Sequence, residues 1–216
     1  WHVTLQRTLL DPLSLKRTRF GSDAPLVPGR VSGYTRGANT GGVRNAVYIS
    51  MTVPDAAGAL ISNVDDLLTW VRALFTGRVL TAESMRLMTT PAATGINVTP
   101  ADDYGMGVYL WRVRDNPMVG HTGQINGFTA FVGYLKERDI TAIVLANDDT
   151  FDARMIGRRL AAIALRKPYP DVVPVPLTPK EVRDLAGTYV FDEETDLRLV
   201  AKGGSLYWQR GAGREL

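Results

Sequence analysis

The hydrophobic positions change period along the chain, and the changes mark the elements. Over residues 62–76, "SNVDDLLTWVRALFT", Leu67, Leu68, Val71, Leu74 and Phe75 recur at three- and four-residue steps and form one apolar stripe. Ser62 followed by Asp65 is a near-match to a capping box and Gly77 ends the run, so this segment is predicted to be a helix. A short helix is predicted over 81–90, before Pro91, with Trp70, Met85 and Met88 as core packing. After a polar loop the period falls to two. Residues 104–113, 128–136 and 140–147 read as strands, and Glu137-Arg138-Asp139 is a tight turn that makes the last two antiparallel. Residues 151–167 return to helical spacing, with Met155, Ile156, Leu160, Ile163 and Ala164 on the apolar side. Residues 1–10 read as the last turns of a helix that stops at Asp11-Pro12.

The fold class that follows is α+β, an antiparallel sheet flanked by helices. Two stretches break the pattern. Residues 20–50 carry prolines at 25 and 28 and glycines at 21, 29, 33, 37, 41 and 42, a long excursion with little regular structure. It either covers a cleft or crosses the domain with short strands. Residues 168–179 are proline-spaced and stiff, which suits a linker. Beyond it, residues 180–216 hold two or three short strands with a Gly203-Gly204 turn. The expected organisation is therefore a main domain over 1–167, the linker, and the start of a small β domain.

Composition narrows the chemistry. A chain of 216 residues, 45% hydrophobic and 22% charged, can bury a core. Its 25 basic and 22 acidic residues leave a thin, scattered excess that does not alternate with aromatics, so nucleic acid is not an expected partner. With no cysteine, disulfides and thiolate sites are excluded, and neither cytosol nor periplasm is favoured. No apolar run reaches about 18 residues, so no transmembrane segment is expected. The opening Trp1-His2-Val3 lacks an initiator methionine, and the chain is expected to be processed or truncated at its front.

The candidate chemistry centres on "MVGHTGQINGF", residues 118–128, which holds one of only two histidines. Glycines at 120, 123 and 127 let backbone approach a ligand or take positive φ. Two readings are open for His121: an edge strand that aims a backbone N–H at a developing oxyanion, or a β-turn whose histidine is idle. A Gly-x-Ser-x-Gly elbow and a phosphate-binding glycine loop are both absent from the sequence. Asp148, Asp149 and Asp152 lack the glycine and distal glutamate of a calcium loop and are expected at a helix N-terminus.

The order of several short motifs carries a resemblance. It runs through Pro12-Leu13-Ser14-Leu15 with Thr18, Gly33-Tyr34, Ala57-Gly58-Ala59-Leu60-Ile61-Ser62 with Asp65, Asp66 and Leu67, Tyr104-Gly105-Met106-Gly107, and Gly120-His121-Thr122-Gly123 with Gly127-Phe128 and Asn147. Over residues 1–166 this resembles the serine beta-lactamase-related family of class C beta-lactamases, D-alanyl-D-alanine carboxypeptidases, D-aminopeptidases and esterases. The resemblance implies a beta-lactamase/transpeptidase-like fold and acyl-enzyme hydrolysis of an ester, amide or peptide bond in a small or peptide-like substrate, with no cofactor and no metal.

It also implies three motifs: a Ser-x-x-Lys nucleophile pair, a Tyr-x-Asn or Tyr-x-Ser, and a Lys-Thr-Gly or His-x-Gly on the edge strand. His121-Thr122-Gly123 fits the third. No serine is followed three residues later by lysine, and Tyr48-Ile49-Ser50 lies downstream of the family's position for the second. The nucleophile is thus expected on a segment before Trp1, with this chain inactive alone and paired with that N-terminal fragment, or self-associating. By the same resemblance His121 and Gln124 are the catalytic-site residues, Gln124 supplying an oxyanion N–H and His121 lining the acyl-group or carboxylate side, and Thr122, Gly123 and Asn126 bind substrate. Residues 180–216 resemble the opening of a lipocalin-like β domain. The alternative function is a non-enzymatic, peptide-binding or structural remnant of the same fold.

Overall fold

The computed structural model describes residues 1–22, 25–36, 42–91, 103–171, 173, 175–190 and 196–210. Gly37 and Gly41 of the excursion, most of the polar loop after Pro91 and the last six residues lie outside them. The chain divides into two compact units, Trp1–Tyr169 and Pro170–Leu216.

In the first unit, α1 (His2–Leu5) continues through Leu10 in wider turns whose amides reach five residues back, as Asp11 N–H does to the Gln6 carbonyl. The excursion then adds short pairs: β1 (Arg19–Phe20), and the hairpin β2 (Tyr34–Arg36) with β3 (Val43–Asn45). β4 (Leu60–Ile61) pairs with β1 and leads into α2 (Val64–Phe75). Next come α3 (Ala82–Met88) and a sheet of five antiparallel strands in sequence order, β5 (Asp103–Tyr104), β6 (Tyr109–Val113), β7 (Asn116–Ile125), β8 (Phe128–Leu135) and β9 (Ile140–Ala146), followed by α4 (Ala153–Ala164). This is the α+β fold that the change of period predicts.

Both faces of the sheet are covered by helices. On one face Trp111, Val113, Met118, Phe131, Leu135 and Ala142 are buried against α4, whose Ala153, Ala161 and Ala162 complete the core. Gly157 lets α4 come this close, since a Cβ there would lie 2.1 Å from the Phe131 ring. Strand alternation puts Tyr134 on the other face, where its ring meets Phe75 of α2 at 4.7 Å.

The start of α2 departs from expectation. Asn63, not Ser62, is the N-cap, and its side chain accepts the Asp66 N–H at 2.9 Å. The Ser62 hydroxyl is 2.8 Å from that of Thr18, which donates to Asp66 at 2.8 Å. The serine that looked like a cap therefore ties the 15–19 loop to the helix. Of the three acids expected at the α4 N-terminus only Asp152 caps it, accepting from the Met155 N–H. Asp148 instead accepts from Arg36 Nε at 2.9 Å and from Thr150, and these bonds, Thr150's first, hold its carboxyl below its ordinary pKa.

Tyr134 gives a pH prediction. Burial first, then donation to Asp139 at 3.1 Å across the β8–β9 turn and the charge of that carboxylate, raise the phenol's pKa, with Arg72 opposing. The unfolded chain releases this proton at about pH 10 while the folded one keeps it. Its contribution to stability is whole below that pH and is lost as pH rises through the higher folded value. Urea midpoints measured on the alkaline side should fall in the wild type, and fall less steeply in Tyr134→Phe.

In the second unit, α5 (Pro179–Leu185) precedes the antiparallel strands β10 (Gly187–Val190), β11 (Asp196–Lys202) and β12 (Ser205–Arg210). Gly203 and Gly204, at φ 58° and 79°, close the β11–β12 hairpin as a two-residue turn with both φ positive. The helix was not expected from the strand pattern. A reciprocal capping box sets it, with Thr178 accepting from Glu181 N–H and the Glu181 carboxylate accepting from Thr178 N–H, and Pro179 opens the first turn.

Candidate active site

His121 lies in the middle of a ten-residue strand, not in a turn. Of the glycines that suggested a turn, Gly127 does sit in one, after the strand, while Gly120 serves close packing. A Cβ on Gly120 would meet the Val132 carbonyl oxygen of β8 at 2.0 Å, so only glycine lets the two strands pair there. Pairing between β6 and β7 ends at Tyr109–Gly120, whereas β7 and β8 stay paired from Val119 through Ile125. His121 to Ile125 therefore extend past β6, with β8 on one side only. Along such an edge alternate residues turn their N–H and C=O groups away from the partner strand.

Each expected site residue has a definite place. His121, Gly123, Gln124 and Asn126 are exposed, and Thr122 is half-buried opposite Phe131. Gln124 donates through its side chain to the Asp149 carbonyl at 3.2 Å, so that side chain braces the strand while its backbone stays on the edge segment. Asn126 and Gly127 form the β7–β8 turn, with Gly127 at φ 83°. The Asn126 amide donates to the Val47 carbonyl at 3.1 Å, and the Asp149 carboxylate accepts from the Gly127 N–H at 2.9 Å. Gly33 and Gly127 touch backbone to backbone, since a Cβ on either would fall within 3.0 Å of the other's main chain. The 20–50 excursion thus crosses to the tip of this hairpin and holds it by main-chain contact.

Two residues missing from the expected set lie closest to the histidine. The Tyr104 hydroxyl is 3.0 Å from His121 Nε2, and the Tyr109 ring is 4.9 Å from the imidazole. The other ring nitrogen, Nδ1, bonds the Thr122 carbonyl. The Tyr104-Gly105-Met106-Gly107 motif explains how the tyrosine gets there. Gly105 seats against the end of α3, where a Cβ would be 2.2 Å from the Met88 carbonyl oxygen. Met106 N–H donates to that same oxygen at 3.0 Å, and Gly107 turns the chain back at φ 75°. Burial and the neighbouring Tyr109 raise the pKa of the Tyr104 phenol, so it is protonated at neutral pH. Among the described residues no cluster of three or more histidine or acidic side chains could hold a metal, and no helix is long and apolar enough to cross a membrane.

The open His-Thr-Gly edge of β7 thus lies on an antiparallel sheet that has helices on both faces. The beta-lactamase family model matches residues 1–166, and the chain belongs to that family. Among solved structures, the octameric penicillin-binding protein homologue from Pyrococcus abyssi is 20% identical with a TM-score of 0.70, over 100% of this chain and 49% of that one. The D-amino acid amidase from Ochrobactrum anthropi SV3, complexed with L-phenylalanine amide, is 25% identical with a TM-score of 0.62, over 76% of this chain and 51% of that one. The D-stereospecific amidohydrolase from Streptomyces sp. is 23% identical with a TM-score of 0.60, over 68% and 44%. The chain spans about half the length of the solved proteins it matches.

Proposed function

We propose that this chain carries one wall of the cleft of a serine hydrolase of the penicillin-binding type, acting through an acyl-enzyme on an ester, amide or peptide bond. The observation that supports this most is the open edge of β7 at His121–Ile125, where the family motif lies. Backbone N–H groups on such an edge are preorganised to stabilise a developing oxyanion, and we assign Gln124 N–H that role. Thr122, Gly123 and Asn126 would flank the acyl group. The nucleophilic serine and its lysine are placed on a segment preceding Trp1, because the sequence holds no Ser-x-x-Lys pair. That segment would also cover β9, the last strand of the sheet, and the outer side of α4, where Met155, Leu160 and Ile163 are 48%, 45% and 59% exposed. Without it, such a surface favours self-association.

The amidase and amidohydrolase among the similar structures point the substrate reading toward amides of small amino acid derivatives. The test is turnover of an activated ester, a D-amino acid anilide and a chromogenic beta-lactam. The 216-residue chain alone should give background rates, and co-expression with the preceding segment should restore hydrolysis. Turnover by the chain alone, with an adduct on one of its own serines, would overturn the assignment of the nucleophile.

A further inference from the structure

We infer that Tyr104 is a positioning residue for the site: with its hydroxyl on Nε2, it holds His121 in the form whose ring proton sits on Nδ1, leaving neither ring nitrogen to hold a substrate. A carbonyl oxygen can only accept, so the bond between Nδ1 and the Thr122 carbonyl puts the ring proton on Nδ1. In the neutral ring Nε2 is then a bare acceptor. The group 3.0 Å away is the Tyr104 hydroxyl, which donates to it. Aromatic packing fixes the plane of the ring, with Tyr104 edge-on at 5.8 Å and Tyr109 tilted at 4.9 Å. Tyr109 is in turn stacked on the buried Trp111 at 5.0 Å, so the cradle is anchored in the core.

The consequence for substrates rests on the hydrolase reading given above. A lysine in this motif offers a charge to a substrate carboxylate. A histidine with both nitrogens occupied by protein groups offers no free N–H. The cleft would then accept acyl donors that are uncharged at this end and gain nothing from a carboxylate there. Tyr104→Phe frees Nε2 to carry the proton and so to become a donor.

The direct test is 15N NMR of the histidine rings in the full chain, near pH 8, above the ordinary histidine pKa of about 6.5. There are two histidines, and a His2→Gln variant assigns them. His121 should show a protonated-type signal for Nδ1 and a bare, pyridine-type signal for Nε2. Tyr104→Phe keeps the ring against Tyr109 but removes the donor, so the ratio of tautomers should move toward Nε2–H by about fivefold, the population equivalent of one neutral hydrogen bond. An Nε2–H ring in the wild type, or unchanged signals in a folded Tyr104→Phe, would overturn the inference. Should the variant fail to fold, the wild-type Nε2 signal decides: a pyridine-type signal shifted upfield by a hydrogen bond supports the inference, and one at the position of a free acceptor overturns it. The signals are read without turnover, so failure of the co-expressed protein to hydrolyse any of the test substrates would sink only the functional reading, and an Nε2–H ring in a protein that does hydrolyse them would sink only this inference.

Discussion

Replacing Phe131 with alanine should cost about 3–5 kcal/mol, the range for deleting a fully buried aromatic ring. Phe131 is 0% exposed, stacks on Trp111 at 5.3 Å and fills the space that Gly157 leaves in α4. Glycine at 157 cannot reach into the vacated volume, and Trp111 is also stacked on Tyr109 at 5.0 Å, so the cavity would collapse little. Domains are stable by only about 5–15 kcal/mol, so the variant should be partly unfolded in mild denaturant. Its thermal midpoint should drop by roughly 6–20 °C, at about 2–4 °C per kcal/mol for a chain of this size. Phe131 is also the cross-strand partner of Thr122, so the injury would reach the site strand. Circular dichroism melts decide the matter. A loss under about 1 kcal/mol would mean that the helix and sheet are not joined through this ring.

Gly120→Ala should cost about 3 kcal/mol, the upper end of what overpacking usually costs. Its Cβ would sit 2.0 Å from the Val132 carbonyl oxygen and 2.8 Å from Gly133 Cα, both backbone atoms of β8 that cannot swing aside. β7 and β8 would have to part where β6 has just stopped pairing, one residue before His121. Gly123 is the internal control. A Cβ there would meet only the Ala130 methyl at 3.5 Å, an ordinary contact, and Gly123→Ala should change stability by less than about 1 kcal/mol. Urea titrations of the two variants should separate clearly. Equal effects would show that the glycines of this motif are not distinguished by the close approach of the strands.

Where the sequence was informative, a single face of one element was enough to read it. The stripe of Leu67, Val71 and Leu74 marks α2 because three- and four-residue steps leave few alternatives, and the period-two runs mark β8 and β9 as clearly. β7 was legible only as one of two readings, edge strand or turn, because Gly120 and Gly123 look like turn residues, and only the distance to β8 shows that Gly120 is there to admit a neighbouring carbonyl. Tyr104 was visible within a motif but had no assignable role, since contact with His121 depends on the registers of two strand pairs. Asp148, Asp149 and Asp152 are adjacent in sequence and similar in chemistry, yet one pairs with an arginine, one holds a turn amide and one caps a helix. Local pattern cannot sort such a set, because the partners come from 112, 22 and three residues away. The capping box before α5 is written in Thr178-Pro179-Lys180-Glu181, but it was missed, because these residues read as linker and strand.

The proposed function puts the nucleophilic serine outside residues 1–216, facing the open edge of β7. Active-site labelling of the protein expressed together with its preceding segment tests this most directly. A fluorophosphonate or a slowly hydrolysed beta-lactam would be the label, and the adduct would be located by peptide mass spectrometry. The predicted result is one adduct, on a serine followed three residues later by lysine in the preceding segment, with labelling slowed in Gly120→Ala, which parts the β7 edge from β8. An adduct on any serine within this chain, or labelling indifferent to the geometry of β7, would contradict the account.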